Sequence, residues 1–267
     1  MKIILGDNPF FAISHLNPEK SEEYLNDPAR WEKAVSVIRK APNYGIELMM
    51  ISSHIETRAL LDNAGYMLGG DVDLPDLCVV VPNVHDTNKK AAESGILNAL
   101  YNRVFDFKLS DLLSPRCVLR KLLLGNLVYS KVRYVALHNV VVDLCLGLRA
   151  IWILRLFSRV CKVCGYSPVF LTLNASKILN QSWTPEVVCT YYNTIGYNMC
   201  EDVNNFMGNT SHTARQTELW AMGIMASGAI SVDELRSDRT LRKFDGVLVA
   251  SSRPNRIAEM VEAIGHA

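Results

Sequence analysis

The sequence predicts an α/β fold, a (β/α)8 TIM barrel with an insertion after strand three, and three observations carry that reading. Eight short apolar runs recur along the 267-residue chain, each followed by polar or small residues and usually by a helical pattern. The runs are continuously apolar rather than alternating, as strands covered on both faces are, which points to a parallel sheet. The length agrees, since single barrels of this kind run to about 250 residues, and residues 1–267 are read as one domain.

In order, the strands are expected at Lys2–Leu5, Ile46–Ile51, Leu77–Val81, Val132–Leu137, Val169–Leu173, Glu186–Tyr192, Trp220–Ala226 and Gly246–Ala250. A helix is expected over Pro28–Ala41, where Trp31, Ala34, Val35 and Ile38 fall at helical spacing. The last helix places Ile257, Met260, Val261 and Ile264 on one face, with Pro254 in the first turn, where its missing N–H costs nothing. The helix after strand five is short, and the stretch after strand six is irregular. Lys89–Asn126 is too long for one helix and holds the expected insertion. The alternative, an open doubly wound sheet, usually opens with a glycine-rich turn after strand one; LGDNPF offers only Gly6.

Composition narrows the function classes. A net charge of +1 gives no overall field for nucleic acid or an acidic membrane, so neither is expected as a partner. At the N-terminus only Ile3–Leu5 are apolar before Gly6 and Asp7, too short for a signal peptide. The most apolar region, Val132–Phe157, is interrupted by His138, Asp143, Arg149 and Arg155; it reads as a buried strand followed by a helix rather than a membrane span. Seven scattered cysteines, an odd number, suggest reduced thiols in a cytoplasmic protein. Cys161 and Cys164 form a CxxC, but they sit at the end of a helix stopped by Gly165, with no second pair to complete a zinc knuckle.

In such barrels the chemistry lies at the C-terminal strand ends. Those positions here hold Asp7 and Asn8, then Ser52, Ser53, His54 and Glu56, then Asn83, His85 and Asp86, then His138 and Asn139. Asn174 follows strand five and Asn193 strand six. Ser227 and Gly228 follow strand seven, and Ser251, Ser252 and Arg253 follow strand eight. The last two ends place small residues where backbone N–H groups can approach an anion. The second opens a helix, whose N-terminus is partially positive. Arg253 and Arg256 add charges suited to phosphate, while Ser251 or Ser252 is also a candidate cap for that helix. The expected ligand-binding set is therefore Ser227, Gly228, Ser251, Ser252, Arg253 and Arg256.

Two stretches, ALHNV on strand four and VASSRPNRIAEM on strand eight, resemble the aldo/keto reductases, a barrel family that uses NADPH. That family's fourth strand ends in Leu-His, like Leu137–His138. Its eighth ends in a Lys-Ser turn followed, five residues after the serine, by an arginine. Ser251 and Arg256 match, while Ala250 replaces the lysine and Met260 an asparagine. The resemblance implies the fold and a seat for the 2′-phosphate of NADPH. The departures are equally specific: Ser52 stands where the family's aspartate falls, no tyrosine lies at the catalytic offset, and the region Pro82–Asn83 replaces the lysine closing strand three. Of the four catalytic residues only His138 is kept.

Several chemistries remain open. His54, His85 and His138 end three successive strands and, with Glu56 or Asp86, form a candidate site for Zn²⁺, Mn²⁺ or Fe²⁺. Without a metal, His54 and His138 suit proton transfer, Asp7 suits a base or orienting group, and Asn83, Asn174 and Asn193 suit polarising donors for a small phosphorylated or carboxylated substrate. This would be lyase, isomerase or hydrolase chemistry. No lysine ends a strand, which excludes a Schiff-base aldolase of this design, and the G-x-S-x-G elbow of serine hydrolases is absent. Cys189 reads as core. A non-catalytic barrel binding a nucleotide or phosphosugar, with contacts from the aromatic and amide-rich Tyr191–Met207, is the third reading.

Overall fold

Eight apolar strands covered on both faces can lie in an open sheet between two helical layers or close into a barrel under one, and this chain closes. The computed structural model describes residues 1–11, 24–54, 56–66, 73–82, 115–125, 127–201 and 216–266. The strands are β1 Lys2–Gly6, β2 Leu48–Ser52, β3 Asp76–Val81, β4 Val132–Leu137, β5 Ser167–Thr172, β6 Val187–Tyr191, β7 Glu218–Met222 and β8 Gly246–Val249. Each pairs in parallel with its neighbour, and β8 returns to β1 with Lys2 opposite Gly246 and Leu5 opposite Val249. Among the described residues the α-helices are α1 Arg30–Lys40, α2 Thr57–Ala64, α3 Pro115–Leu124, α4 Asn139–Gly147, α5 Ile151–Cys164, α6 Ala175–Leu179, α7 Val232–Ser237 and α8 Pro254–His266.

Alternation along each strand divides the core in two. Ile4, Met50, Val80, Ala136, Leu171 and Cys189 point into the barrel. Their neighbours Leu5, Met49, Ile51, Val79, Val135 and Phe170 point outward and pack beneath the helices. The N-terminal end of the barrel is plugged. Trp220 is 0% exposed, meets the Tyr134 ring edge-on at 5.3 Å, and donates its Nε1–H to Glu218 at 3.1 Å. Lys2 pairs with the same Glu218 at 2.7 Å and lies 5.8 Å from both ring centroids.

Strand seven departs from the sequence reading. It covers Glu218–Met222 rather than Trp220–Ala226, because Gly223 takes a left-handed φ of +73° and ends it. The following Ile224 and Ala226 are buried in a turn, so their apolar character reports packing and not strand. The insertion falls between β3 and β4: α3 is its described part, and residues 83–114 and 126 lie outside the described residues. The CxxC cysteines are free and buried at the end of α5, where burial pushes the Cys161 thiol up to about 12. Gly165, φ +83°, closes that helix as expected.

The plug yields a test. A Cβ on Gly246 would sit 2.7 Å from Cδ1 of Trp220, so one must move. Gly246→Ala is expected to cost about 1–3 kcal/mol, the usual price of overpacking, read by urea denaturation. An unfolding curve superimposed on that of the parent would refute this packing of Trp220.

Candidate active site

Carrying the inward register past each strand brings Gly6, Ser52, Pro82, His138, Leu173 and Ala250 to the open end of the barrel. They line a cleft of about 1820 Å³ whose apolar floor includes Met50, Val80, Leu171, Tyr191 and Met222. Tyr191 was missed as an individual candidate. It is placed by the bare Cα of Gly223, where a Cβ would lie 2.5 Å from its ring. A tyrosine at the inward position of a strand's last residue is the signal that could have found it.

Asp7 lines this cleft although it is only 5% exposed. The next main-chain donor along β2, the N–H of Ser52, binds its Oδ2 at 2.6 Å. No cation pairs with it among the described residues, so burial dominates and pushes the carboxyl up to about 6; hydrogen bonds from Ser52 and from its own backbone oppose the shift. A carboxyl that titrates there is chemically suited to proton transfer near neutral pH.

His138 follows β4 and opens α4. Its Nδ1 accepts the N–H of Val140 at 3.3 Å, so the neutral ring holds its proton on Nε2. One side chain thus caps a helix and offers a donor of fixed tautomer at the cleft. His54 also lines the cleft, its ring 4.4 Å from that of Phe11.

At the β8–α8 turn, Ser251 Oγ accepts the N–H of Arg253 at 3.1 Å, and the Arg253 carbonyl accepts the first helical bond, from Ile257. The serine closes the approach to α8; it does not cap the helix's first-turn donors, as the sequence had suggested. Among the described residues no acceptor meets the N–H groups of Asn255 and Arg256. Arg253 is exposed without a carboxylate partner among them, and Arg256 pairs with Glu259 at 2.9 Å. Ser251, Ser252, Arg253 and Arg256 all line the cleft. This donor set fits a phosphate. After β7, Ser227 and Gly228 also line the cleft, but the Gly228 N–H is taken by Met225 O at 2.7 Å. Ala226 (φ +43°) and Ser227 (φ +56°) adopt left-handed backbone that favours glycine.

Other expected residues stand elsewhere. Asn193 is spent on its own loop, its amide bonding the Tyr197 carbonyl and N–H at 2.8 and 2.7 Å. Glu56 turns to Arg30 at 3.4 Å. Asn83, His85 and Asp86 lie outside the described residues. Among the described residues no three His, Cys, Asp or Glu side chains group closely enough to hold a metal ion, so the proposed triad of His54, His85 and His138 has two described members, both in the cleft.

The buried Asp7 sets a pH dependence. The folded carboxyl keeps its proton up to about pH 6, whereas the ordinary group releases it near 3.8. The folded state therefore holds more protons in that window, and stability is lost as pH rises through it. Asp7→Asn is expected to stabilise the protein by roughly 2–3 kcal/mol at pH 7.5 and to match the parent at pH 3.5, by thermal melts at both. Equal melts at both pH values would show that the carboxyl is not desolvated.

No protein-family model matches the chain, and no curated protein matches its sequence. Its fold is similar to solved structures. Two assigned as aldo-keto reductases from Pseudomonas aeruginosa superpose with TM-scores of 0.56 and 0.54, at 14% and 13% identity, over 98% of this chain and 88% and 90% of theirs. One assigned as a 2,5-diketo-D-gluconic acid reductase B gives a TM-score of 0.51 at 14% identity, over 99% of this chain and 82% of that one. At such identities the likeness is one of fold: the chain shares the closed barrel of the aldo-keto reductases.

Proposed function

We propose that the cleft binds a phosphorylated nucleotide of the NADPH class and reduces the carbonyl group of a small phosphorylated or carboxylated compound. The observation that carries this reading is the opening of α8 onto the cleft, where two N–H groups meet no acceptor among the described residues and Arg253 and Arg256 stand beside them. That arrangement suits the nucleotide's phosphate, and the shared barrel fold makes a reductase the natural class. A bound nicotinamide nucleotide would supply the hydride. The chain's own residues do the rest. Nε2–H of His138 donates to the carbonyl oxygen and holds it in place. Protonated Asp7 supplies the proton that the family's tyrosine would give, and His54 exchanges it with solvent. The apolar floor limits water at the reacting carbon.

A second reading is non-redox acid–base chemistry on a phosphorylated compound by the same Asp7, His54 and His138. It is favoured by Ser52 and Pro82, which stand where a reductase would carry its aspartate and lysine.

Titration with NADPH, followed by cofactor fluorescence, separates the two. Arg253→Ala/Arg256→Ala is expected to weaken binding about 10- to 100-fold, the loss expected for hydrogen bonds to a charged group, with the melting temperature unchanged. No saturable NADPH binding by the parent would remove the nucleotide. With NADPH and 4-nitrobenzaldehyde as probe, His138→Ala should lower kcat about 10²- to 10³-fold while leaving NADPH affinity intact. Binding of NADPH without reduction of any carbonyl probe would favour the second reading.

A further inference from the structure

Helices that cover a barrel are expected to turn apolar residues inward and polar ones to water. On α4 and α5 the inner face is filled by Val142, Cys145, Leu154 and Cys161, yet the outer face is apolar too. Val140, Leu144, Leu148, Trp152 and Leu156, spaced by four, are between 52% and 70% exposed. The sequence reading placed a buried strand and then a helix here, without saying which helix residues face outward. The joint between the helices is tightly built. The N–H of Leu148 binds Leu144 O at 2.9 Å and that of Ala150 binds Cys145 O at 2.8 Å, which puts Arg149 at φ +56°, a conformation that favours glycine. An arginine is therefore displayed where the backbone would prefer no side chain.

Charge on this face has one sign. Residues 144–164 contain Arg149, Arg155, Arg159 and Lys162 and no Asp or Glu. Helix α3 packs beside α5, with Arg120 Nε donating to Cys164 O at 2.9 Å. It adds Arg116, Arg120 and Lys121, again without an acid. Lys162 is neutralised by Glu186, whereas Arg149 and Arg159 have no carboxylate partner among the described residues. The net charge of +1 for the whole chain conceals this concentration.

We infer that the outer face of α4 and α5 docks on an anionic lipid surface. Clustered exposed apolar side chains mark an interaction site. A tryptophan and leucines bordered by arginines are the pattern of helices lying in the headgroup region of a membrane. A second copy of this chain fits worse, because a twofold contact would set Arg149, Arg155 and Arg159 against their own copies, and the described acid beside them, Glu186, is already held by Lys162. No helix among the described residues is long and apolar enough to cross a membrane, so the contact lies along the surface. Val140 also lines the cleft, which places one end of the apolar series at the cleft rim. The inference is independent of the reaction proposed above.

The test is co-sedimentation with vesicles of phosphatidylcholine alone and of phosphatidylcholine with about a third phosphatidylserine. The protein should bind the anionic vesicles, with a blue shift in tryptophan emission, and should leave them at high salt. Arg149→Glu/Arg155→Glu/Arg159→Glu should weaken binding at least about 100-fold, and Leu148→Ser/Trp152→Ser should abolish the blue shift. Every substituted side chain is exposed, and melting curves verify that both variants fold. Absence of binding to anionic vesicles overturns the inference, as does equal binding to both vesicle types. A lipid-free dimer seen by ultracentrifugation and lost in Leu148→Ser/Trp152→Ser also overturns it, by assigning the face to a second copy.

Discussion

Closure of β8 against β1 sets Lys2 opposite Gly246 and Leu5 opposite Val249, and because all eight strands run parallel it sends every strand end to one rim. The consequences divide between the two ends of the barrel. At the N-terminal end the interior has to be filled, and Trp220, Tyr134, Lys2 and Glu218 fill it with mutually satisfied rings and charges. Gly246 is the position that gives way, since its missing side chain makes room for the indole. At the other end no cluster of that size among the described residues fills the mouth. The described inward positions there are Gly6, Ser52, Pro82, His138, Leu173 and Ala250, half of them small, and a cleft remains between them.

The strands were legible because burial on both faces imposes continuous apolar runs, a signal that needs no knowledge of partners. It fails where burial occurs without a strand. Ile224 and Ala226 are as buried as strand residues, but Gly223 turns the chain first, and only the backbone conformation separates the cases. The same rule misleads on α4 and α5, since an apolar residue on a helix need not face the core. Whether Leu148 and Trp152 are covered depends on what packs against them, which sequence alone does not specify.

At the cleft, residue types at strand ends identified His138, His54, Asp7 and the β8–α8 turn as candidates. Their states were not legible. That His138 carries its proton on Nε2 follows from a hydrogen bond to Val140 two residues on. That Asp7 keeps a proton to about pH 6 follows from near-complete burial with no cation beside it among the described residues. That Ser251 serves the turn rather than the first N–H groups of α8 follows from its bond to Arg253. Each depends on the precise approach of one donor or acceptor. Asn193 shows the converse: an amide suited to catalysis is consumed by the loop that it organises.

Distribution of unfavourable features bears on whether the barrel is a catalyst or a binding module. At the plugged end each buried polar group named here has its partner. At the rim, Asp7 is buried with no cation beside it among the described residues, and Ala226 and Ser227 hold left-handed backbone that costs roughly 1–2 kcal/mol for each such residue. A barrel that only held a phosphorylated ligand would need α8 and its arginines, and those are present at little cost, exposed or paired with Glu259. It would gain nothing from a desolvated carboxyl, for which an asparagine could accept the same Ser52 N–H. A desolvated carboxyl in the same cleft as a histidine of fixed tautomer is an arrangement that suits proton transfer and that ligand binding alone does not call for. The rim is thus consistent with the catalytic reading proposed above rather than with ligand binding alone.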